Sequence, residues 1–135
     1  MMKKIIILFS VFYSILAFSC TDLSGNYISE EGERFQIVQE KCDKVSWVEP
    51  GSVKTIIVDG VERLLQEEEG IKVFGAAKFS LTHLVLNTRI DWGGKPGTED
   101  LPTEFIMSYS VDRRGNLVEK QESSQGVMYT TYLKQ

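Results

Sequence analysis

What constrains this chain most is a two-residue alternation that recurs along almost its whole length. Ile71, Val73, Gly75, Ala77 and Phe79 alternate with Lys72, Phe74, Ala76 and Lys78, and Leu84, Leu86, Thr88, Ile90 and Trp92 share one face of the next segment. Phe105, Met107, Tyr109 and Val111 repeat the pattern. A period of two is the signature of a strand with one face turned inward, because successive side chains point to opposite sides of a sheet. Shorter stretches of the same kind occur at Gly25 to Ser29, at Phe35, Ile37 and Val38, at Val45 and Trp47, and at Val53 to Val58. Leu117 to Glu122 and Val127 to Leu133 form a last hairpin across Ser123-Ser124-Gln125-Gly126. Turn residues separate these segments at Pro50-Gly51, Asp59-Gly60 and Asp112 to Asn116, and Asp-Gly suits a tight type I′ hairpin turn. Nine or ten closely spaced strands read as an all-β antiparallel meander.

One stretch disputes this. Asp59-Gly60-Val61-Glu62 fits a helix-capping box, Val61, Leu64 and Leu65 would share a helical face, and Gly70 stands where a helix would stop. The run Gln66 to Glu69 also favours helix. A helix this short is marginal alone, so strand is the expectation for 60–69.

The chain has 135 residues, 42% of them hydrophobic and 25% charged. That is an ordinary balance for a single folded domain. A chain of about 116 residues, without the first 19, buries roughly two-thirds of its unfolded surface. No sustained helical periodicity is present to cover an open sheet, and nine strands leave raw edges unless the sheet closes. A barrel of about 8–10 strands removes those edges and is wide enough to be filled by side chains or to hold one small ligand. The expected domain is monomeric.

The N-terminus carries an address. Met1-Met2-Lys3-Lys4 is a short positive region, Ile5 to Phe18 is apolar, and Ala17 and Ser19 are small residues flanking one position. This is the layout of a signal peptide over residues 1–19, leaving 20–135 as one β-barrel domain, secreted or periplasmic. The 14-residue apolar run is too short to span about 30 Å of hydrocarbon. A chain starting at Cys20 keeps 13 basic and 19 acidic residues, a net charge of −6. No basic surplus is left to displace counterions, which argues against nucleic acid as a partner.

Two fates are open to Cys20. Export favours a disulfide with Cys42, the only other cysteine. The alternative is lipidation, since Ala17-Phe18-Ser19-Cys20 resembles a bacterial lipobox, with bulky Phe18 where a small residue is usual and no Leu at the Ala17 position. A membrane partner follows only in that second case.

Leu23-Ser24-Gly25-Asn26-Tyr27 resembles the opening strand of lipocalin-like (calycin) barrels, and Tyr109 to Asp112, Gly115-Asn116-Leu117 and Tyr129 to Lys134 resemble their closing hairpins. In that family a Gly-x-Trp motif lays an aromatic ring across the closed end of the barrel. Here Tyr27 takes the place of Trp, and Lys134 is the only counterpart of the Arg that packs on it. The resemblance covers the two ends of the chain and implies a barrel that binds a small hydrophobic molecule, with Tyr27 as the barrel-end residue; Trp92, at the base of a long connection, is read separately as a barrel-mouth or lumen aromatic or as core packing.

Catalytic constellations are missing from the sequence: there is no Gly-x-Ser-x-Gly elbow and no P-loop. His83, the single imidazole, would either face a polar lumen beside Arg89 or stand as an isolated surface group. One His and two Cys rule out a zinc site of the usual kind. Glu30-Glu31-Gly32-Glu33 and Glu67-Glu68-Glu69 lack the ligand spacing of a calcium loop and read as solvated turns. No enzyme, metal or cofactor is expected. Asp91 to Pro102, with three Gly and two Pro, is the longest break and is read as a long surface connection with Trp92 at its base. Two functions follow: a carrier of a small hydrophobic ligand, or a structural or protein-interaction module of the cell envelope with a filled core. In the second, side chains such as Phe74 or Phe79, Leu86, Phe105 and Tyr129 would meet at the centre; in the first, a cavity of several hundred Å³ would remain.

Overall fold

A computed structural model describes residues 20–135; the signal peptide expected at 1–19 and the upstream part of the lipobox-like segment lie outside the described residues. Ten strands follow one another: β1 (Gly25–Ile28), β2 (Arg34–Glu40), β3 (Lys44–Glu49), β4 (Ser52–Ile57), β5 (Arg63–Glu68), β6 (Ile71–Phe79), β7 (Leu84–Asp91), β8 (Glu104–Val111), β9 (Leu117–Ser123) and β10 (Gly126–Lys134). Among the described residues there is no helix. All neighbouring strands are antiparallel, and they form one sheet in the order β4-β3-β2-β1-β10-β9-β8-β7-β6-β5. The sheet therefore has two wings, β1–β4 and β5–β10, each a run of sequential hairpins. They are joined where β1 pairs β10 through Tyr27 opposite Lys134 and Ile28 opposite Leu133. The Gln135 N–H donates to the Asn26 carbonyl at 2.8 Å and extends that seam.

The alternation assigns the faces. Leu23, Tyr27, Ile37, Val45, Ile56, Ala77, Leu84, Leu86, Tyr109 and Leu117 form one buried cluster drawn from both wings, so the sheet bends until its inner faces meet. Trp47 of β3 reaches Tyr109 of β8, with ring centroids 5.4 Å apart. On β6 the inward face is the one with the smallest residues. A Cβ on Gly75 would lie 2.6 Å from Leu65 Cδ1 and 3.1 Å from Leu86 Cδ1, so glycine is what allows Leu65 and Leu86 to meet over this strand. Phe74 points the other way and carries the Arg89 guanidinium 4.2 Å above its ring.

The disputed segment is strand β5. It pairs β6 with a register shift between Leu64 and Gln66, and Glu69 and Gly70, both at positive φ (52° and 83°), make the turn into β6. Two consecutive left-handed residues are what a tight hairpin needs, and glycine takes one of them without penalty. Tertiary pairing with β6 outweighs the helical preference of the Glu-rich run.

Asp59-Gly60 is not the hairpin turn its composition suggests, because no ladder links β4 to β5. The Gly60 N–H donates to the Ala77 carbonyl at 2.8 Å, and the Asp59 carboxylate accepts from the Val61 N–H and from both terminal nitrogens of Arg63. These bonds draw the connector across to β6 instead of back along β4. The hydrogen-bonded sheet consequently ends at β4 and β5 and does not close.

Cys20 and Cys42 form a disulfide with their Cα atoms 5.9 Å apart, which leaves Cys20 no thiol to acylate in this state. The bond ties the segment before β1 to the β2–β3 turn, and the Gln39 side chain reinforces it by accepting from the Leu23 N–H and donating to the Thr21 and Lys41 carbonyls. A disulfide of this kind suits an oxidising, extracellular-type environment. No described helix is long and apolar enough to cross a membrane.

Candidate functional site

The two ends of the folded sheet differ in packing. At the end holding the disulfide and the β8–β9 turn, Leu23, Tyr27, Ile37, Val45, Leu84 and Leu117 are each under 2% exposed. Tyr27 is packed within this cluster, its ring centroid 5.7 Å from that of Phe35. Its hydroxyl donates to the Leu23 carbonyl at 2.8 Å, and burial raises its pKa above the ordinary phenol value. A Cβ on Gly25 would come within 3.3 Å of the Tyr27 hydroxyl and 3.5 Å of Lys134 Cε, so the ring tip and the lysine stem both lie against that glycine.

A shallow depression of about 520 Å³ lies outside this cluster at the disulfide, lined by Cys20, Cys42, Val58, Phe79 and Leu81 among others, and a deeper space opens on the other side of the cluster. Ser29, Glu33, Arg34, Phe35, Trp47, Glu49, Pro50, Glu119 and Tyr132 surround a cavity of about 500 Å³. A second, of about 300 Å³, lies between β4 and β5 and is lined by Trp47, Glu49, Ser52, Lys54, Ile56, Leu65, Leu86 and Tyr109. The two share Trp47 and Glu49. Aromatic rings pack in pairs along this space: Phe35 meets Tyr132 edge-on at 5.0 Å, and Trp47 meets Tyr109 at 5.4 Å. Such edge contacts hold rings in fixed orientations.

At the floor stands Glu119. Its position follows from register: Tyr109 on β8 lies opposite Glu119 on β9, and Glu119 lies opposite Thr130 on β10. Leu117, two residues earlier, is in the core, so alternation turns Glu119 to the same face. The Tyr132 hydroxyl donates to Glu119 Oε2 over a long 3.5 Å. Burial raises the Glu119 pKa, and hydrogen bonds from Tyr109 and Tyr132 offset this only in part. The carboxylate acts back on its neighbours. Tyr132 is pushed up to about 12 by burial and by the Glu119 charge, and Tyr109 is driven far above the phenol range for the same reasons. Both phenols therefore stay protonated and serve as donors.

Of the residues expected from sequence, the cysteines and Tyr27 belong to the sealed end. Trp92 lines neither of the two cavities. It is half-buried and its indole N–H donates to the Pro102 carbonyl at 3.0 Å, which clips the base of the long β7–β8 connection. Gly93 in that connection packs so closely on Gly70 that a Cβ would lie 2.6 Å from its carbonyl oxygen. His83 sits in the β6–β7 turn with Nδ1 2.6 Å from the Thr82 hydroxyl, away from Arg89, which pairs with Glu62 on the outer face. Of the two acidic runs, only Glu33 reaches a cavity wall. Among the described residues no group of three or more His, Cys, Asp or Glu could hold a metal ion. Glu119 is the residue the sequence reading passed over; Leu117-x-Glu119-x-Gln121 was its only signal, a carboxylate in phase with a core leucine.

Compared with known proteins, the chain matches no family model and no curated relative.

Proposed function

We propose that this chain is an exported, lipocalin-like carrier domain that holds a small, largely apolar molecule between its two wings. In this reading the bent sheet serves as a barrel whose missing β4–β5 ladder is the way in. The observation that carries it is the pair of adjoining cavities, about 500 and 300 Å³, in which Phe35, Trp47, Ile56, Leu65, Leu86, Tyr109 and Tyr132 stand among polar groups that include Glu33, Arg34, Glu49, Lys54 and Glu119. Ligand sites are typically concave spaces of about 300–1,000 Å³ lined by apolar and aromatic groups with a few polar ones. Of the large residues that would plug a filled core, Leu86 is in the buried cluster with Phe79 packed against it, whereas Phe74 lies under Arg89 on the outer face and Tyr129 is 64% exposed. The Gly25, Tyr27 and Lys134 arrangement at the sealed end supports the family resemblance.

Native mass spectrometry of protein purified from its source tests this directly. A co-purified small molecule, lost when Trp47 and Leu86 are both replaced by alanine, is the expected result. Protein that carries nothing and takes up no apolar dye would overturn the reading. One feature favours the second reading, an interaction module: Val127, Tyr129 and Leu133 stand exposed along the outer face of β10. Crosslinking in the intact envelope that depends on those three residues, together with an empty cavity, would favour it.

A further inference from the structure

We propose that the cavity selects an amphiphilic organic cation, with an ammonium-type head seated at Glu119 among the aromatic rings and an apolar body lying towards Ile56, Leu65 and Leu86. This rests on the carrier reading and adds the charge of the guest.

Three observations lead to it. First, Glu119 has no cationic partner among the described residues. The ion pairs within 4.0 Å among the described residues are Arg63–Asp59, Arg89–Glu62, Lys95–Glu69 and Lys120–Glu122, and none includes Glu119. A half-buried carboxylate held by phenols alone has lost hydration that a counter-charge would restore. Second, the groups beside it are π faces. Phe35, Tyr132, Trp47 and Tyr109 converge on the same space, and an alkylammonium against such rings is attracted by their quadrupoles. Third, the basic groups of the walls lie at the rim: Arg34 and Lys54 are exposed and accompanied there by Glu33 and Glu49. A carboxylate-headed lipid would therefore meet Glu119 where it needs a cation. In the smaller cavity the apolar side of the wall, Ile56, Leu65 and Leu86, supplies the place for the body of the guest, with Glu49, Ser52 and Lys54 on its polar side.

The test uses the purified full-length protein and three probes with one tail, octylammonium, octanol and octanoate, in isothermal titration calorimetry. Octylammonium should bind about tenfold or more tighter than octanol, a difference of about 1.4 kcal/mol, and octanoate should bind weakest. Glu119→Gln should bring octylammonium to the level of octanol and leave octanol unchanged. A measurement that needs no variant runs parallel: octylammonium affinity should fall as pH is lowered through the raised Glu119 pKa, while octanol affinity stays flat. The titratable and charged groups around Glu119 are Tyr109 on β8 and Tyr132 on β10, with Glu31 and Glu33 acting on Tyr132 from the β1–β2 turn and Glu49, Arg34 and Lys54 at the rim. Both phenols stay protonated throughout this range. Glu33→Gln and Glu49→Gln, made together, should keep the pH response if Glu119 is its source. Equal binding of all three probes would overturn the charge preference and leave the carrier reading standing. Binding of none would overturn both, and a preference that survives Glu119→Gln would overturn the assignment to this residue.

Discussion

At the sealed end of the molecule Leu23, Ile37, Val45, Leu84 and Leu117 pack against Tyr27 and exclude water. Beside them, Phe35, Trp47, Glu119 and Tyr132 on β2, β3, β9 and β10 line a cavity instead of filling it. Strand β9 holds both regimes within three residues, from fully buried Leu117 to half-buried Glu119. The difference teaches that stability and recognition share the same strands and lie side by side on them: Leu117 is the cross-strand partner of Tyr132, Ile37 of Trp47 and Leu84 of Tyr109. The disulfide and the tightly packed leucines hold the strands in register, and that register fixes the neighbouring rings and the carboxylate.

This division can be broken from the sealed end first. Leu84→Ala or Leu117→Ala removes a side chain at 0% exposure and should cost about 2–5 kcal/mol in urea unfolding. Met128→Ala, at the open end and 59% exposed, should stay within about 0.5 kcal/mol. Similar losses at the two sites would refute the contrast. Replacing Cys20 and Cys42 together by serine frees a loop with a sequence separation of 22 and should lower stability by about 3 kcal/mol. Hydrogen exchange should then rise around Leu23 and Gln39 before it rises around Trp47.

A smaller change sharpens the open side. Gly75→Ala places a methyl 2.6 Å from Leu65 Cδ1, and the free end of Leu65 yields into the cavity it lines. Stability should fall by only about 1 kcal/mol, while uptake of an apolar dye drops severalfold. Unchanged uptake would show that the space beside Leu65 is not used. The smallest effect concerns pH. Because the Glu119 pKa is raised on folding, the folded chain binds more protons than the unfolded one just above the ordinary carboxylate range. Stability from this group is therefore present at lower pH and is lost as pH rises through the folded pKa. Glu119→Gln should flatten that component of the pH–stability curve, and an unaltered curve would place the carboxylate in water.

Much of this architecture was legible in the residues. The strands from Ile71 to Val111 announce themselves because lysine, asparagine and serine alternate with aliphatic side chains, and two cysteines leave one intramolecular pairing. The conflict over 60–69 also had a readable answer, since Glu69-Gly70 is a tight-turn pair. The rest depended on distant strands. Phe74 and Ala76 are as apolar as Val73 and Ala77, so period alone could not choose the inner face of β6; the fit of Gly75 under Leu65 and Leu86 does. Asp59-Gly60 has the composition of a hairpin, but its hydrogen bonds go to β6. Glu119 was hidden because a glutamate in a strand is ordinarily a solvated one, and only its register against Tyr109 turns it inward.

The seam between β1 and β10 bears on how the chain reaches this state. Each wing is assembled from hairpins whose partners are neighbours in sequence, and these close fast. Tyr27 and Lys134, by contrast, meet across nearly the whole domain. The entropy of bringing such remote positions together must be met before their few bonds return anything. Two preformed half-sheets that dock late, with the aromatic walls meeting only at that last event, would give a folding reaction whose slow phase appears in the fluorescence of Trp47 and not in the early growth of strand signal.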